Sequence, residues 1–281
     1  MIATKALPQD QFVQVGGFRA RYWKVGQGAP LLLLHGIAHS VRAWEQNLEG
    51  LSARHTVYAL DIIGHGLTDK PTSSYHISDL AKFIRDFMAA VDLPKVHLIG
   101  HSMGGAIAMH FAVMYPSQVD KLVLVAPAGI GSVVGLSFRL ASLPLLGEYL
   151  TRPDWKRLQT VSRSLVFDQA IIRDEFVDWQ YEYNALPGAQ AAHLAIIRTH
   201  LNIFGFKKWV TDMVNSELDR FKTPTLAIWG ENDNVIPLDS VRSRISAMKN
   251  ITLHTLRYCG HVVQLEYPEE FNRLVLNFVN G

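Results

Sequence analysis

A serine hydroxyl attacks a carbonyl only when a base takes its proton, a third group orients that base, and donors receive the oxyanion that forms. This chain offers residues for each task. Ser102 lies in Gly100-His101-Ser102-Met103-Gly104-Gly105, after the apolar run Val96 to Ile99 and before a helix-forming run from Ala106 to Tyr115. Strand, sharp turn and helix with a serine at the tip is the pattern of a nucleophile elbow. Such a turn strains the serine backbone and brings together the residues two before and two after it. Glycine at 100 and 104 suits that approach, because a Cβ at either position would clash.

The base candidate is His261 in Cys259-Gly260-His261, in the loop after the last expected strand. Of the other histidines, His97 and His254 fall within strands, His110 in the elbow helix, and His193 and His200 in helical runs; His39 and His65 fall in loops near the edge of the site. The orienting acid is expected at Asp233, in Trp229-Gly230-Glu231-Asn232-Asp233, directly after a buried strand. Glu231 is its main competitor, and Asp61 also ends a strand but precedes the serine. The gap 261 − 233 = 28 residues leaves room for a helix, a strand and their loops. Two backbone N–H groups are expected to form the oxyanion hole. Met103 stands at a helix N-terminus, where the dipole favours negative charge, and Ile37 follows His35-Gly36 in a loop.

These residues need a scaffold that ends several strands at one place. Phe12 to Val15 and Phe18 to Val25 read as two extended segments around Gly16-Gly17. Pro30 to Leu34, Thr56 to Leu60, Lys121 to Val125 and Thr223 to Gly230 are apolar on both faces, as strands covered on both sides are. Between them, Leu80, Phe83, Ile84, Phe87, Met88 and Val91 follow the helical period, with Ser78 as the expected cap. A short helical run is expected from Ala43 to Leu51. Strands alternating with helices imply a parallel, doubly covered sheet. From Ala128 to Glu217 the alternation stops, and helical runs are broken by Pro144, Gly147, Pro153, Pro187 and Gly188. One run carries Ile172, Phe176, Trp179 and Tyr183 at helical spacing, read as ordinary packing onto the core. The sheet then resumes, with a helix over Leu238 to Met248, a strand over Ile251 to Leu256 and a last helix over Pro268 to Val279. The expected division is a core of 1–127 and 218–281 with a helical cap, 128–217, inserted in it.

Composition narrows the function classes. The 281 residues are 48% hydrophobic and carry a formal net charge of +2. Lys and Arg are scattered, so neither nucleic acid nor an anionic membrane surface is implied as a partner. The single cysteine, Cys259, excludes an internal disulfide framework and is read as structural. The first ten residues lack the apolar core of a secretion signal, and no run approaches the ~20 residues of a membrane span. A cytoplasmic monomer or homodimer without stable membrane insertion is expected. His35/His39 and His97/His101 have zinc-like spacing, but on extended backbone four residues span ~13 Å, too far to share one metal. Gly64-His65-Gly66 lacks the third glycine of a dinucleotide loop. No metal and no cofactor are expected.

The chain resembles the α/β-hydrolase superfamily along nearly its whole length. The resemblance rests on His35-Gly36, Asp61-Ile62-Ile63-Gly64-His65-Gly66-Leu67-Thr68-Asp69, the Ser102 elbow, Trp229-Gly230-x-x-Asp233 and Gly260-His261, in the family's order Ser, Asp, His. It implies an eight-stranded, mostly parallel sheet with helices on both faces and a helical cap over Ser102. Ser102 separates the chain from members with an aspartate nucleophile. The loop His35-Gly36-Ile37-Ala38-His39-Ser40 departs from the Gly-rich loop usual in carbon–carbon bond hydrolases of aromatic degradation. The expected activity is carboxylesterase-like: hydrolysis of a small-molecule ester with a small to medium hydrophobic acyl group. Carbon–carbon bond hydrolase, lactonase, acyltransferase and perhydrolase are the alternatives within this fold, and a ligand-binding receptor with a retained triad is the alternative outside enzymes.

Overall fold

The computed structural model describes residues 7–220 and 222–281. The first six residues, with the part of the secretion-signal expectation that falls on them, lie outside the described residues. One sheet of eight strands organises the chain: β1 (Gln11–Val15), β2 (Phe18–Val25), β3 (Ala29–Leu34), β4 (His55–Leu60), β5 (Val96–His101), β6 (Val119–Val125), β7 (Thr225–Gly230) and β8 (Ile251–Leu256). Their spatial order is β1-β2-β4-β3-β5-β6-β7-β8. β2 runs antiparallel to both of its neighbours, and every other pairing is parallel. The order reverses around β3, which places β5, the elbow strand, beside it near the middle.

The doubly apolar strands are explained by what covers them. Leu32 and Leu34 turn to one face, where they pack with Phe87, Ile107 and Phe111. Leu31 and Leu33 turn to the other, with Trp44, Phe271 and Val275. The first face is covered by α1 (Ile77–Ala90) and α2 (Met103–Met114), the second by the last helix, Pro268–Asn280. Period-two alternation is present, but both faces are dry, so both sets of positions are hydrophobic.

Between β6 and β7 the chain leaves the sheet as a run of helices. They are α3 (Leu136–Ala141), α4 (Leu146–Thr151), α5 (Trp155–Ser164), α6 (Asp174–Asn184), α7 (Ala189–His200) and α8 (Lys208–Arg220). The sequence did not reveal a two-stranded hairpin, Leu201–Asn202 with Gly205–Phe206, pinned to the preceding loop by Phe206 N–H on the Ser132 carbonyl at 3.0 Å. No helix among the described residues is long and apolar enough to cross a membrane.

Three local expectations change. The run Ala43 to Leu51 divides into a 3-10 turn, Val41–Trp44, and a short helix, Leu48–Ser52. Asn47 marks the break: it is buried, and its Nδ2 donates to the Gln264 carbonyl at 3.0 Å. The helix expected over Leu238 to Met248 divides at buried Val241 into Leu238–Ser240 and Arg242–Ser246. α1 is capped by His76, whose Nδ1 accepts the Ser78 N–H, and not by Ser78. The Ser78 hydroxyl instead meets His110 Nε2 at 3.1 Å, and His110 Nδ1 pairs with Glu217 of α8.

Candidate active site

Ser102 stands between β5 and α2 with φ 54° and ψ −116°. A non-glycine residue held there costs about 1–3 kcal/mol, so the surroundings must enforce it. Its N–H donates to the Val125 carbonyl at 2.9 Å, and its carbonyl accepts from Ala106 and Ala128, each at 3.1 Å. The two elbow glycines are needed for close approach. A Cβ on Gly100 would lie 2.3 Å from the Gly104 carbonyl oxygen, and one on Gly104 would lie 2.3 Å from that of Leu34.

Asp233 and His261 meet at the same end of the sheet. His261 Nδ1 lies 2.8 Å from Asp233 Oδ2. The other carboxylate oxygen, Oδ1, accepts the N–H groups of Val235 and Ile236, each at 2.8 Å. Those two bonds fix the plane of the carboxylate and leave Oδ2 facing the imidazole. Glu231 points elsewhere, with its Oε1 on the Thr255 hydroxyl at 2.9 Å. Asp61 is also occupied: it accepts from Val41 and Leu67 N–H at 2.7 and 2.8 Å and pairs with Arg21 at 3.2 Å. Ser102 makes no hydrogen bond to His261 in this structure; resting sites often close that contact only when substrate is bound. His101 links the two: it adjoins Ser102, its ring centroid is 4.8 Å from that of His261, and its Nε2 donates to the His261 carbonyl at 3.0 Å.

The expected oxyanion donors lie together. Ile37, Ser102 and Met103 line one cavity. A Cβ on Gly36 would stand 3.3 Å from the Ser102 Cβ, so the Gly36–Ile37 peptide passes close to Ser102. Neither the Ile37 nor the Met103 N–H donates to an acceptor among the described residues. The loop is held from below by His35, whose Nδ1 donates to the Gly36 carbonyl at 2.7 Å while Nε2 accepts the Ile62 N–H at 3.0 Å.

Several further histidines crowd this end, and burial keeps them uncharged. It lowers the pKa of His35, takes His101 well below its ordinary value, and takes His39 down to about 3. Among those around Ser102, His261 is the one hydrogen-bonded to a carboxylate. Cys259 is fully buried, and its thiol pKa is pushed up by desolvation and then by Glu266, which suits a structural residue. No group of three metal-ligating side chains occurs among the described residues.

The cavity beside Ser102 encloses about 680 Å³ including its open mouth. Ile107, Val134, Phe138, Ile197 and Phe206 are among its walls, and Ser102 and His200 are its only polar side chains among the described residues. Core and insertion share this lining: Ile107 belongs to α2, while Phe138, Ile197 and Phe206 belong to α3, α7 and the hairpin. The insertion also reaches His261, because the Leu165 carbonyl accepts the His261 N–H at 2.7 Å.

Two insertion side chains near the site carry no signal in the sequence. Gln180 Nε2 lies 3.4 Å from His39 Nε2, and Asn184 Nδ2 donates to the Ala38 carbonyl at 3.2 Å. These contacts join positions more than 140 residues apart, which no local spacing reveals.

Known proteins resemble the chain over almost all of it. An uncharacterized protein of Mycobacterium tuberculosis is 30% identical over 284 residues, covering 98% of this chain and 82% of that one. The 2-hydroxy-6-oxo-2,4-heptadienoate hydrolase of Pseudomonas putida is 29% identical over 276 residues, covering 96% and 95%. The solved structure of a meta-cleavage product hydrolase from Pseudomonas fluorescens superposes with a TM-score of 0.82 at 27% identity, covering 96% and 97%. The model of the alpha/beta hydrolase fold family matches residues 29–268. That match begins at β3 and ends at the start of the last helix, taking in the elbow, Asp233 and His261 together, and the chain belongs to the α/β-hydrolase fold family.

Proposed function

We propose that this hydrolase is a serine enzyme that cleaves esters of small to medium hydrophobic acids through an acyl-enzyme. The observation that carries the acyl preference is the cavity at Ser102, with apolar walls and no charged side chain among its described lining residues. Apolar walls with a few convergent polar groups are the usual make-up of a small-molecule site. In this reading residues 128–217 form a cap that supplies half of the acyl pocket.

The chemistry runs in two halves. Ser102 Oγ attacks the carbonyl carbon as its proton passes to His261 Nε2. Asp233 holds the Nδ1–H side of the ring and stabilises the imidazolium. The Ile37 and Met103 N–H groups receive the oxyanion, helped at Met103 by the start of α2. Collapse expels the alcohol, which takes the proton from His261. Water then attacks the acyl-enzyme, His261 accepts its proton and returns it to Ser102, and the carboxylic acid leaves.

A second reading is favoured by the relatives, whose names point to hydrolysis of a carbon–carbon bond in a meta-cleavage product. It shares the attack on a carbonyl and the apolar acyl pocket but expels a stabilised carbanion in place of an alcohol. The substrates so named are oxo-dienoates and carry a carboxylate, for which the Ser102 cavity has no cationic partner among its lining residues. A rate panel separates the two readings: aryl and alkyl esters of graded acyl length against a 2-hydroxy-6-oxo-dienoate. Higher kcat/KM on esters supports the first reading, and higher kcat/KM on the dienoate replaces it with the second. No turnover of either by folded protein removes both.

A further inference from the structure

We infer that Asn184, with Gln180 beside it, is a positioning residue that holds the oxyanion donor Ile37 in place. The inference rests on the serine-hydrolase reading and gives the inserted helices a part in catalysis besides substrate choice.

Gly36, Ile37, Ala38 and His39 form a tight turn closed by the His39 N–H on the Gly36 carbonyl at 3.3 Å. Ala38, third in the turn, has φ 58°, and Ile37 is not among the residues of positive φ. That combination is a type II turn, whose third position ordinarily takes glycine or asparagine. Here it is alanine, so the turn keeps a conformation that its own side chain disfavours. An external hold is therefore required: His35 holds the Gly36 carbonyl from below, and the two remaining polar handles, at Ala38 and His39, lead to α6. The Ala38 carbonyl accepts Asn184 Nδ2 at 3.2 Å, and His39 Nε2 faces Gln180 Nε2 at 3.4 Å. An amide nitrogen only donates, so Nε2 of His39 is the acceptor.

The hold is rigid at its far end. Asn184 and Gln180 are 7% and 3% exposed, and Asn184 Nδ2 also donates to the Gln180 carbonyl at 2.7 Å. His39 is enclosed by the rings of His101, Phe176 and Trp179, with centroids 6.2–6.4 Å away. Without the Asn184 bond, the alanine can relax to negative φ. That change turns the Ile37–Ala38 peptide over, and the turn loses the fixed shape that aims the Ile37 N–H, at its start, toward the Ser102 cavity.

The test is the rate at which a fluorophosphonate modifies Ser102, because the phosphonyl oxygen needs the same two N–H groups whatever the natural substrate. Asn184→Ala should slow labelling by at least about tenfold, below the ceiling of roughly 10²–10³ for deleting a donor outright. On any ester turned over, kcat should fall likewise while KM stays within about twofold, as for an interaction made only in the transition state. Ala38→Gly should restore most of the loss when added to Asn184→Ala, since glycine adopts the turn unaided. A general loosening of the fold would show no such rescue. Should Asn184→Ala fail to fold by circular dichroism, Asn184→Asp keeps the shape, removes the donor and should label slowly too. The proposal is overturned if the folded variant labels at the wild-type rate, or if Ala38→Gly restores nothing. Wild-type protein that does not label at all would sink the serine-hydrolase reading instead.

Discussion

Acid should unfold this protein through its buried histidines. His39 and His193 are each 7% exposed, and each has its pKa lowered from 6.5 to about 3. Burial is the largest cause for both; next come His35 for His39 and Lys70 for His193. The folded pKa is thus below the unfolded one, so the unfolded chain binds these protons more readily. Their contribution is fully present above pH 6.5 and is lost as pH falls toward 3. Each histidine costs about 1.4 kcal/mol per pH unit in that window, hence roughly 3 kcal/mol at about pH 4.5 and nearly twice that for the pair. A typical domain has only about 5–15 kcal/mol in all. Urea midpoints measured from about pH 7.5 down to about pH 4.5 should therefore fall steeply below about pH 6.5. His193→Gln removes one titrating ring and should reduce the slope by about 1.4 kcal/mol per pH unit. A wild-type unfolding free energy that is flat across this range, or a slope unchanged in His193→Gln, would refute the reasoning.

Further outcomes follow from the geometry of other pairs. Asp233→Asn should cut kcat on the order of 10⁴, by analogy with the protease triad. Glu231→Gln should change it little, because Glu231 binds Thr255; the reverse order of effects in a kinetic comparison would mean that the acid is misassigned. His110→Ala strands the carboxylate of Glu217, which is 8% exposed and whose Oε2 already lacks a partner. Removing one member of a buried pair typically costs about 3–5 kcal/mol, whereas breaking the exposed Lys208–Asp212 pair should cost less than about 1 kcal/mol. Chemical denaturation of the two variants measures the contrast.

The sequence makes the proposed triad legible because Ser102, Asp233 and His261 each end or follow a strand, and their order is that of the fold. It favours Asp233 over Glu231, two residues away behind the same strand, without showing what either carboxylate touches. In the structure the Val235 and Ile236 N–H groups claim one oxygen of Asp233, and the other lies 2.8 Å from His261 Nδ1. Ser78 has the right chemistry to cap α1, but a longer-range partner, His110, takes its hydroxyl and His76 caps the helix. His39 is expected near the edge of the site, and its ring centroid lies 6.4 Å from that of His101, but its contacts with α6 leave no mark in the sequence. Its partner Gln180, and Asn184 on the neighbouring Ala38 carbonyl, lie on α6 among residues whose spacing signals only packing. The stripe noted there begins at Ile172, just before α6, and Phe176 and Trp179 of that stripe enclose His39.

The central claim is that Ser102 becomes acylated. Rapid quench of the protein with a p-nitrophenyl ester, followed by peptide mass spectrometry, tests it most directly. The account predicts one equivalent of p-nitrophenol released ahead of steady state, an acyl group on the peptide bearing Ser102, and neither in Ser102→Ala. Turnover that persists in Ser102→Ala, or an acyl group found on another residue, would contradict it.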